Sequence, residues 1–453
     1  MTSVYARAVT SEAQPVRRWS PRYVVALVTV ATAAAGFAIL FRATLGATVE
    51  AVAGASNVVD AMIGTAWWWR LSVPMLGGLA AGLLALAVTR SEGGGVSDVM
   101  EAVALGRARL SMTVTLVKSA ASWCAIVCGG SLGREGPLIQ FGGTTGHAVA
   151  TRLALSTDQR RVLIAAGTAA GFAAAYNTPL AAVVFVLEIV AGIIVVDTVV
   201  PTLVATVIAT ALTRAAVGEG PIYGMRTFVV THPGELFAFA GVAVAAALVA
   251  VGFTRLIAAG EHAFRRPWLR APGRQALGGL GAGAIIVLIP TVAGNGYEPL
   301  NQILDGSSGI AIVGVLLVAK MIATTCSVGS GNPGGVFTPT LLVGGCTGYL
   351  VGVALASAGL DVGPPGGYAL VGMAAAIAAA THAPLLAAVL AFELSGDYAV
   401  VLPLVLATAI ATAIARGLGQ ESIYMAELRG RGVTWRLTLT GRETERDGPP
   451  KLA

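Results

Sequence analysis

Charge is scarce in this 453-residue sequence. Asp, Glu, Lys and Arg make up 11% of it, where a soluble protein averages about 25%. That shortage excludes an ordinary soluble domain. Hydrophobic residues at 56% and a mean hydropathy of +0.79 point instead to a polytopic helical membrane protein. Histidine is scarce too. His147, His232, His262 and His382 form no metal-ligand spacing, so no metal is expected. The four cysteines, Cys124, Cys128, Cys326 and Cys346, all lie in apolar segments. They read as small buried hydrophobes, not as disulfides or ligands. No HExxH or comparable nucleophile–base set is present, which argues against an intramembrane enzyme and leaves no cofactor to expect.

The positive charge that remains is placed outside the apolar runs. Arg7, Arg17, Arg18 and Arg22 precede the first run. Arg255, Arg265, Arg266, Arg270 and Arg274 fill one internal loop, and Arg429, Arg431, Arg436, Arg442 and Arg446 fill the tail. The net charge of +6 therefore reads as orientation in a bilayer rather than nucleic-acid binding. The positive-inside rule puts all three clusters, and both termini, in the cytoplasm. The first run, Tyr23 to Leu40, ends without a convincing small-residue cleavage site and is read as a retained span.

Glycine, by contrast, is abundant at 58 residues, which implies close helix packing and interrupted helices. Apolar runs near 23–43, 70–90 and 112–130 are followed by Gly133-Arg134-Glu135-Gly136-Pro137. Between the second and third of these runs, Gly93-Gly94-Gly95-Val96-Ser97 is a glycine-rich break, after which Asp98 is placed to cap a short helix. A helix to about Arg152, another from Ser156-Thr157-Asp158, a break at Asn177-Thr178-Pro179 and a span near 196–214 close the first half. The second half has apolar stretches at 235–259, 275–293 and 309–327, then a second glycine break from Gly329 to Gly335. Several runs are too short to span a bilayer upright, which points to half-helices and tilted helices.

The pentapeptide at 133–137 is the centre of this arrangement. A carboxylate at such depth is costly and marks a functional site. Bare glycine backbone and Pro137 fit a helix broken and restarted there. A restarted helix points free N–H groups and its positive dipole end at whatever lies ahead, which makes an anion site. Glu135 is a built-in anion for it. A buried Glu135–Arg134 pair is the competing reading, but adjacent helical residues diverge by about 100°.

The chain also repeats itself. Residues 166–188 and 371–393 share an Ala-rich run, a proline and a terminal glutamate at an offset of 205, pairing Pro179 with Pro384 and Glu188 with Glu393. An offset of 202 pairs the 133–137 motif with Gly335-Val336-Phe337-Thr338-Pro339. Matched helix breaks in two halves are the best sequence pointer to a transporter's substrate site. Repeat one is placed at about 70–216 and repeat two at about 271–428, within a membrane domain of 20–429 flanked by tails at 1–19 and 430–453.

On these residues the chain resembles the CLC family of chloride channels and chloride/proton antiporters. The likeness is carried by Gly133-Arg134-Glu135-Gly136-Pro137, by Gly329-Ser330-Gly331-Asn332-Pro333-Gly334-Gly335-Val336-Phe337-Thr338-Pro339, by Lys118 and by Tyr424. It implies an all-α fold of two inverted repeats with broken and tilted helices. It also implies a homodimer with one ion pathway per subunit, and chloride and protons as the transported ions. A bacterial inner membrane is the expected location. The amides of Val336 and Phe337 and the hydroxyl of Tyr424 should face the ion. Taken singly, Val336 and Phe337 also fit core packing, and Tyr424 an interfacial belt. Glu135 should act as gate and external proton site.

Two positions depart from the family pattern. Gly94 stands where the first filter stretch, Gly93 to Ser97, normally carries a serine, leaving backbone contacts such as those of Gly94 and Gly95. Ile189 stands where family antiporters commonly carry an internal proton-relay glutamate. Glu188 beside it reads as a structural hydrogen-bonding residue, and Asn177 and His382 as helix-end caps. Chloride/proton exchange is the first expectation, since Glu135 and Tyr424 are intact. A passive chloride channel is the rival that Ile189 favours, and fluoride export is less in keeping with Gly136-Pro137 and Tyr424.

Overall fold

The structure, a computed structural model, describes residues 19–88, 95–105, 110–192, 196–218, 223–224, 226–228, 230–429, 435–438 and 441–444. Gly93, Gly94, Arg7, Arg17, Arg18, Arg431 and Arg446 lie outside them. The first half runs through α1 (Pro21–Ala53), α2 (Val58–Gly64), α3 (Trp67–Leu86), α4 (Val96–Leu105), α5 (Met112–Val127), α6 (Glu135–Arg152), α7 (Thr157–Tyr176), α8 (Pro179–Phe185), and α9 (Val196–Val217). A π-helical turn, Val186–Ala191, continues α8. The second half runs through α10 (Glu235–Phe264), α11 (Gly273–Leu288), α12 (Tyr297–Leu304), α13 (Ile310–Gly329), α14 (Phe337–Ser357), α15 (Pro365–Thr381), α16 (Pro384–Ser395), α17 (Val401–Gly417) and α18 (Ile423–Arg429). A small antiparallel hairpin, β1 (Trp435–Thr438) with β2 (Gly441–Thr444), follows α18.

Local chemistry sets the helix ends. The Ser20 side chain accepts from the Tyr23 N–H to start α1, and Pro21 fits its first position. Ser156 and Gln159 form a reciprocal capping box on α7. Asn177 and His382 end α7 and α15 in the left-handed conformation, at φ 59° and φ 60°, and Pro179 and Pro384 begin the next helices. Polar caps therefore sit at the same place in each half.

Six helical stretches among the described residues are long and apolar enough to cross a membrane, and several shorter apolar helices accompany them. Their packing explains the glycines. A Cβ on Gly142 of α6 would run into the carbonyl of Gly167 on α7, and one on Gly146 into that of Leu163. A Cβ on Gly344 of α14 would likewise run into the carbonyl of Gly372 on α15, and one on Gly348 into that of Tyr368. Both pairs are small residues four apart, the spacing that lets membrane helices touch backbone to backbone. The offset between the two pairs is again 202, so the halves are built on the same close contact.

Some expectations need correction. Asp98 lies inside the first turn of α4, which begins at Val96, rather than ahead of the helix. Arg255 belongs to α10 and Arg274 to α11, so the arginine cluster spans two helix ends as well as the loop between them. The short helices α2 and α12 were not legible, because seven or eight residues carry too little periodicity to separate from a loop.

Candidate functional site

The two glycine breaks meet. Gly133 N–H donates to the Gly335 carbonyl at 2.7 Å, and Gly335 N–H donates back to the Gly133 carbonyl at 2.7 Å. This isolated antiparallel bridge ties the entry of α6 to the entry of α14. Arg134 and Val336 cap the two helices, and Glu135 and Phe337 are their first residues. Pro137 and Pro339 fall at the third position of each, where no intrahelical N–H partner is lost.

Glu135 is 2% exposed, and its carboxylate reaches the first turn of the other half's helix. Oε1 accepts from the Phe337 N–H at 2.9 Å and the Thr338 N–H at 3.2 Å. Oε2 accepts from the Thr338 hydroxyl at 3.1 Å. Burying a carboxylate costs several kcal/mol. Three bonds to a charged acceptor, worth about 1.5–3 kcal/mol each, and the positive end of α14 offset that cost. A side chain on Gly133 or Gly335 would collide with this carboxylate, so the motif glycines make the room it occupies. Gly136 faces the backbone of Gly334 and Gly335.

Arg134 does not pair with Glu135. Its guanidinium lies over the ring of Tyr297, 4.9 Å from the centroid, and Tyr297 packs edge-on to Tyr223. The amides that meet the carboxylate are those of Phe337 and Thr338, one residue beyond the expected Val336–Phe337 pair. The reason is that Val336 is the cap, and the N–H groups that point along a helix axis begin after it.

Tyr424 is buried on α18. Its ring stands edge-on to Phe185, 6.5 Å between centroids. Phe185 stacks on Phe172 and Phe172 meets Phe337. An aromatic file therefore runs from Tyr424 to the residue that opens α14. The break that includes Gly95 joins the same region. Gly95 has φ +133°, a conformation other residues resist. The Ser97 hydroxyl, 3.3 Å from the Tyr424 carbonyl, has its best acceptor in Glu427 Oε2 at 2.7 Å. Ile189 is buried in the π-helical turn.

Two residues of the centre escaped the sequence reading. Tyr176, fully buried, shares a hydrogen bond of 2.8 Å with the Thr338 hydroxyl. Lys320, also buried, donates from Nζ to the carbonyls of Val292 at 3.0 Å and Gly294 at 2.8 Å. The second had a signal, since Lys320 stands fifteen residues before Gly335 as Lys118 stands fifteen before Gly133. Tyr176 had none, lying in an alanine run that reads as core. Among the described residues no cluster of metal-ligating side chains occurs.

A family profile described as voltage gated chloride channel matches residues 77–416. A putative chloride channel protein, ClcB-like, from Ralstonia nicotianae is 39% identical over 322 residues, 70% of this chain and 75% of that one. A voltage-gated ClC-type chloride channel ClcB from Salmonella typhimurium is 33% identical over 300 residues, 65% of this chain and 72% of that one. Among solved structures, a slow cyanobacterial Cl−/H+ antiporter aligns with a TM-score of 0.79 at 22% identity, covering 91% of this chain and 98% of that one. A CLC-type fluoride/proton antiporter aligns with a TM-score of 0.72 at 20% identity, covering 89% and 95%. At such identities those two report the fold, an all-helical one of inverted repeats with broken helices. Joined to the profile match over most of the chain and to the relatives above 30% identity, they lead to one conclusion: this protein belongs to the CLC family of voltage-gated chloride channels.

Proposed function

We propose that this chain carries chloride across a lipid bilayer in exchange for protons, with Glu135 as gate and external proton site. The observation that supports it is the Glu135 carboxylate on the amides of Phe337 and Thr338. A helix N-terminus built to hold an anion is occupied by one that the protein supplies itself. Protonation removes the charge that holds the side chain there, and the vacated amides then receive chloride. Proton binding and chloride entry become linked equilibria. Helix ends suit this task because they attract an anion without a fixed cation that would retain it.

Val336, Phe337, Gly94, Gly95 and Tyr424 are proposed to line the rest of the path, with Gly93 to Ser97, Gly133 to Pro137 and Gly335 to Pro339 as its three selectivity stretches. The family's dimer, with one pathway per subunit, and a bacterial inner membrane with both termini cytoplasmic belong to the same proposal. So do a membrane domain of 20–429 and its two repeats.

The rival is a passive chloride channel, and one residue favours it. Ile189 is buried and apolar where a proton relay would need an acid. The reversal potential of the purified protein in liposomes, measured under a pH gradient at fixed chloride, separates the two. A potential that moves with pH supports exchange, and one fixed by chloride alone overturns it in favour of the channel.

A further inference from the structure

Beyond the gate, the seat of Glu135 contains two hydroxyls, and their chemistry settles which way they point. Thr338 Oγ1 lies 3.1 Å from Glu135 Oε2 and 2.8 Å from the Tyr176 hydroxyl. An ionised carboxylate only accepts, so the single Thr338 proton goes to Glu135, and Tyr176 must donate to Thr338. The hydrogen bonds form one directed chain, Tyr176 to Thr338 to the anion in the seat. Thr338 and Tyr176 are 1% exposed, so water does not satisfy them in this state. Tyr176 is held by the rings of Phe172 and Phe337, at centroid distances of 4.9 Å and 5.7 Å.

Thr338 differs from the threonines around it in one respect. Thr340, Thr347 and Thr381 each donate to the carbonyl four residues back, Val336, Val343 and Ile377. Thr338 is the second residue of α14, so no helical carbonyl lies beneath it to take its proton. When the Glu135 side chain leaves, the two hydroxyls can pair only with each other, and one proton of the Tyr176–Thr338 pair is left without an acceptor. Leaving a buried hydroxyl unpaired is unfavourable. The position therefore demands another acceptor, and an anion meets that demand.

We infer that Thr338 Oγ1 is a direct hydrogen-bond ligand of the transported anion, oriented by Tyr176, and that it supplies the hydroxyl which Gly94 does not. The inference rests on the transport reading above. It assigns Thr338 as a binding residue and Tyr176 as a positioning residue acting through it. The anion class is a compact halide, small enough to take two amides and one hydroxyl at once.

The test uses the full chain in the Glu135→Gln background, which removes the charge that competes for the seat, with chloride affinity read by isothermal titration calorimetry. Thr338→Val keeps the shape and removes the donor, and it should weaken chloride binding about tenfold. Thr338→Ser restores the hydroxyl and should return affinity to within about twofold of the parent. Tyr176→Phe should weaken binding about threefold alone and add nothing further to Thr338→Val, because its effect passes through the threonine. A packing role for Tyr176 would instead give additive losses. Chloride affinity unchanged in Thr338→Val, with the parent binding normally, overturns the hydroxyl assignment and leaves the transport reading standing. A Glu135→Gln parent that binds no halide at all overturns both. Should Thr338→Val not fold, Thr338→Ala carries the same expectation, and the serine variant decides between lost packing and lost donor.

Discussion

Glu188 and Glu393 each cap the helix that the other half begins. Glu188 accepts from the N–H groups of Leu385 and Leu386 at 3.3 Å and 2.7 Å. Glu393 accepts from Leu180 and Ala181 at 3.0 Å and 2.7 Å. The helices concerned, α16 and α8, start with Pro384 and Pro179, the prolines paired in the repeat. Each carboxylate satisfies free N–H groups and meets the positive end of a helix dipole. The repeated glutamates are thus a reciprocal fastening between halves, and the structural reading of Glu188 follows from that geometry.

Replacing either one should therefore cost stability rather than transport. Glu393→Ala is expected to lose about 2 kcal/mol, on the scale of hydrogen bonds to a charged group in a partly solvated place. Thermal unfolding in detergent reads this directly. For Glu188→Gln, proton coupling in liposomes should persist. Coupling abolished in a variant that melts like wild type would make Glu188 a relay instead.

Glycine at 335 should matter through the space it leaves. A Cβ there would meet the Glu135 carboxylate. Gly335→Ala should hold the side chain out of its seat, so that chloride moves with weakened proton coupling. Chloride efflux and proton uptake recorded together give the ratio, and a ratio equal to that of wild type would contradict the seat.

Glu135→Gln cannot release a proton and accepts hydrogen bonds at only one oxygen. Proton movement should vanish while chloride movement persists and grows less sensitive to external pH. In wild type the sign follows from which form holds the seat. On the proposed gate, raising external pH should ionise Glu135 and slow chloride movement, and lowering it should speed chloride movement. Intact proton transport in the glutamine variant would remove Glu135 from the mechanism.

Without a hydroxyl at position 94, discrimination between chloride and the larger nitrate or thiocyanate should be limited, and Gly94→Ser should sharpen it. Permeability ratios from bi-ionic potentials provide the check. Ratios identical in the two proteins would mean that the stretch from Gly93 to Ser97 does not filter.

The breaks, the repeat and the buried carboxylate were legible because each leaves a mark on composition: glycine and proline at an interruption, an acid where acids are scarce. What was not legible is who faces whom. The 133–137 motif reads as a carboxylate at its own helix end, yet Glu135 crosses to α14. Only the joined backbones of Gly133 and Gly335 make that reach possible. Thr338, and not Val336, supplies the second amide under the Glu135 carboxylate, and this was hidden because the cap residue of α14 could be fixed only from dihedral angles. Tyr176 stayed hidden since a tyrosine in an alanine run has the pattern of core. Its hydroxyl acquires meaning through a contact 162 residues away.

The bridge between Gly133 and Gly335 also bears on how such a protein comes to exist. Glu135 is made 202 residues before the amide that receives it. At about 5–20 residues per second, translation keeps the carboxylate waiting roughly 10–40 s. Over that interval α6 is complete and its acid has no seat, and α8 lacks the glutamate that finishes its first turn. The nascent first half must hold those groups near water or neutral until the second half arrives. Insertion of this chain is then a deferred closure, in which the site is the last thing assembled although its defining residue is among the first made.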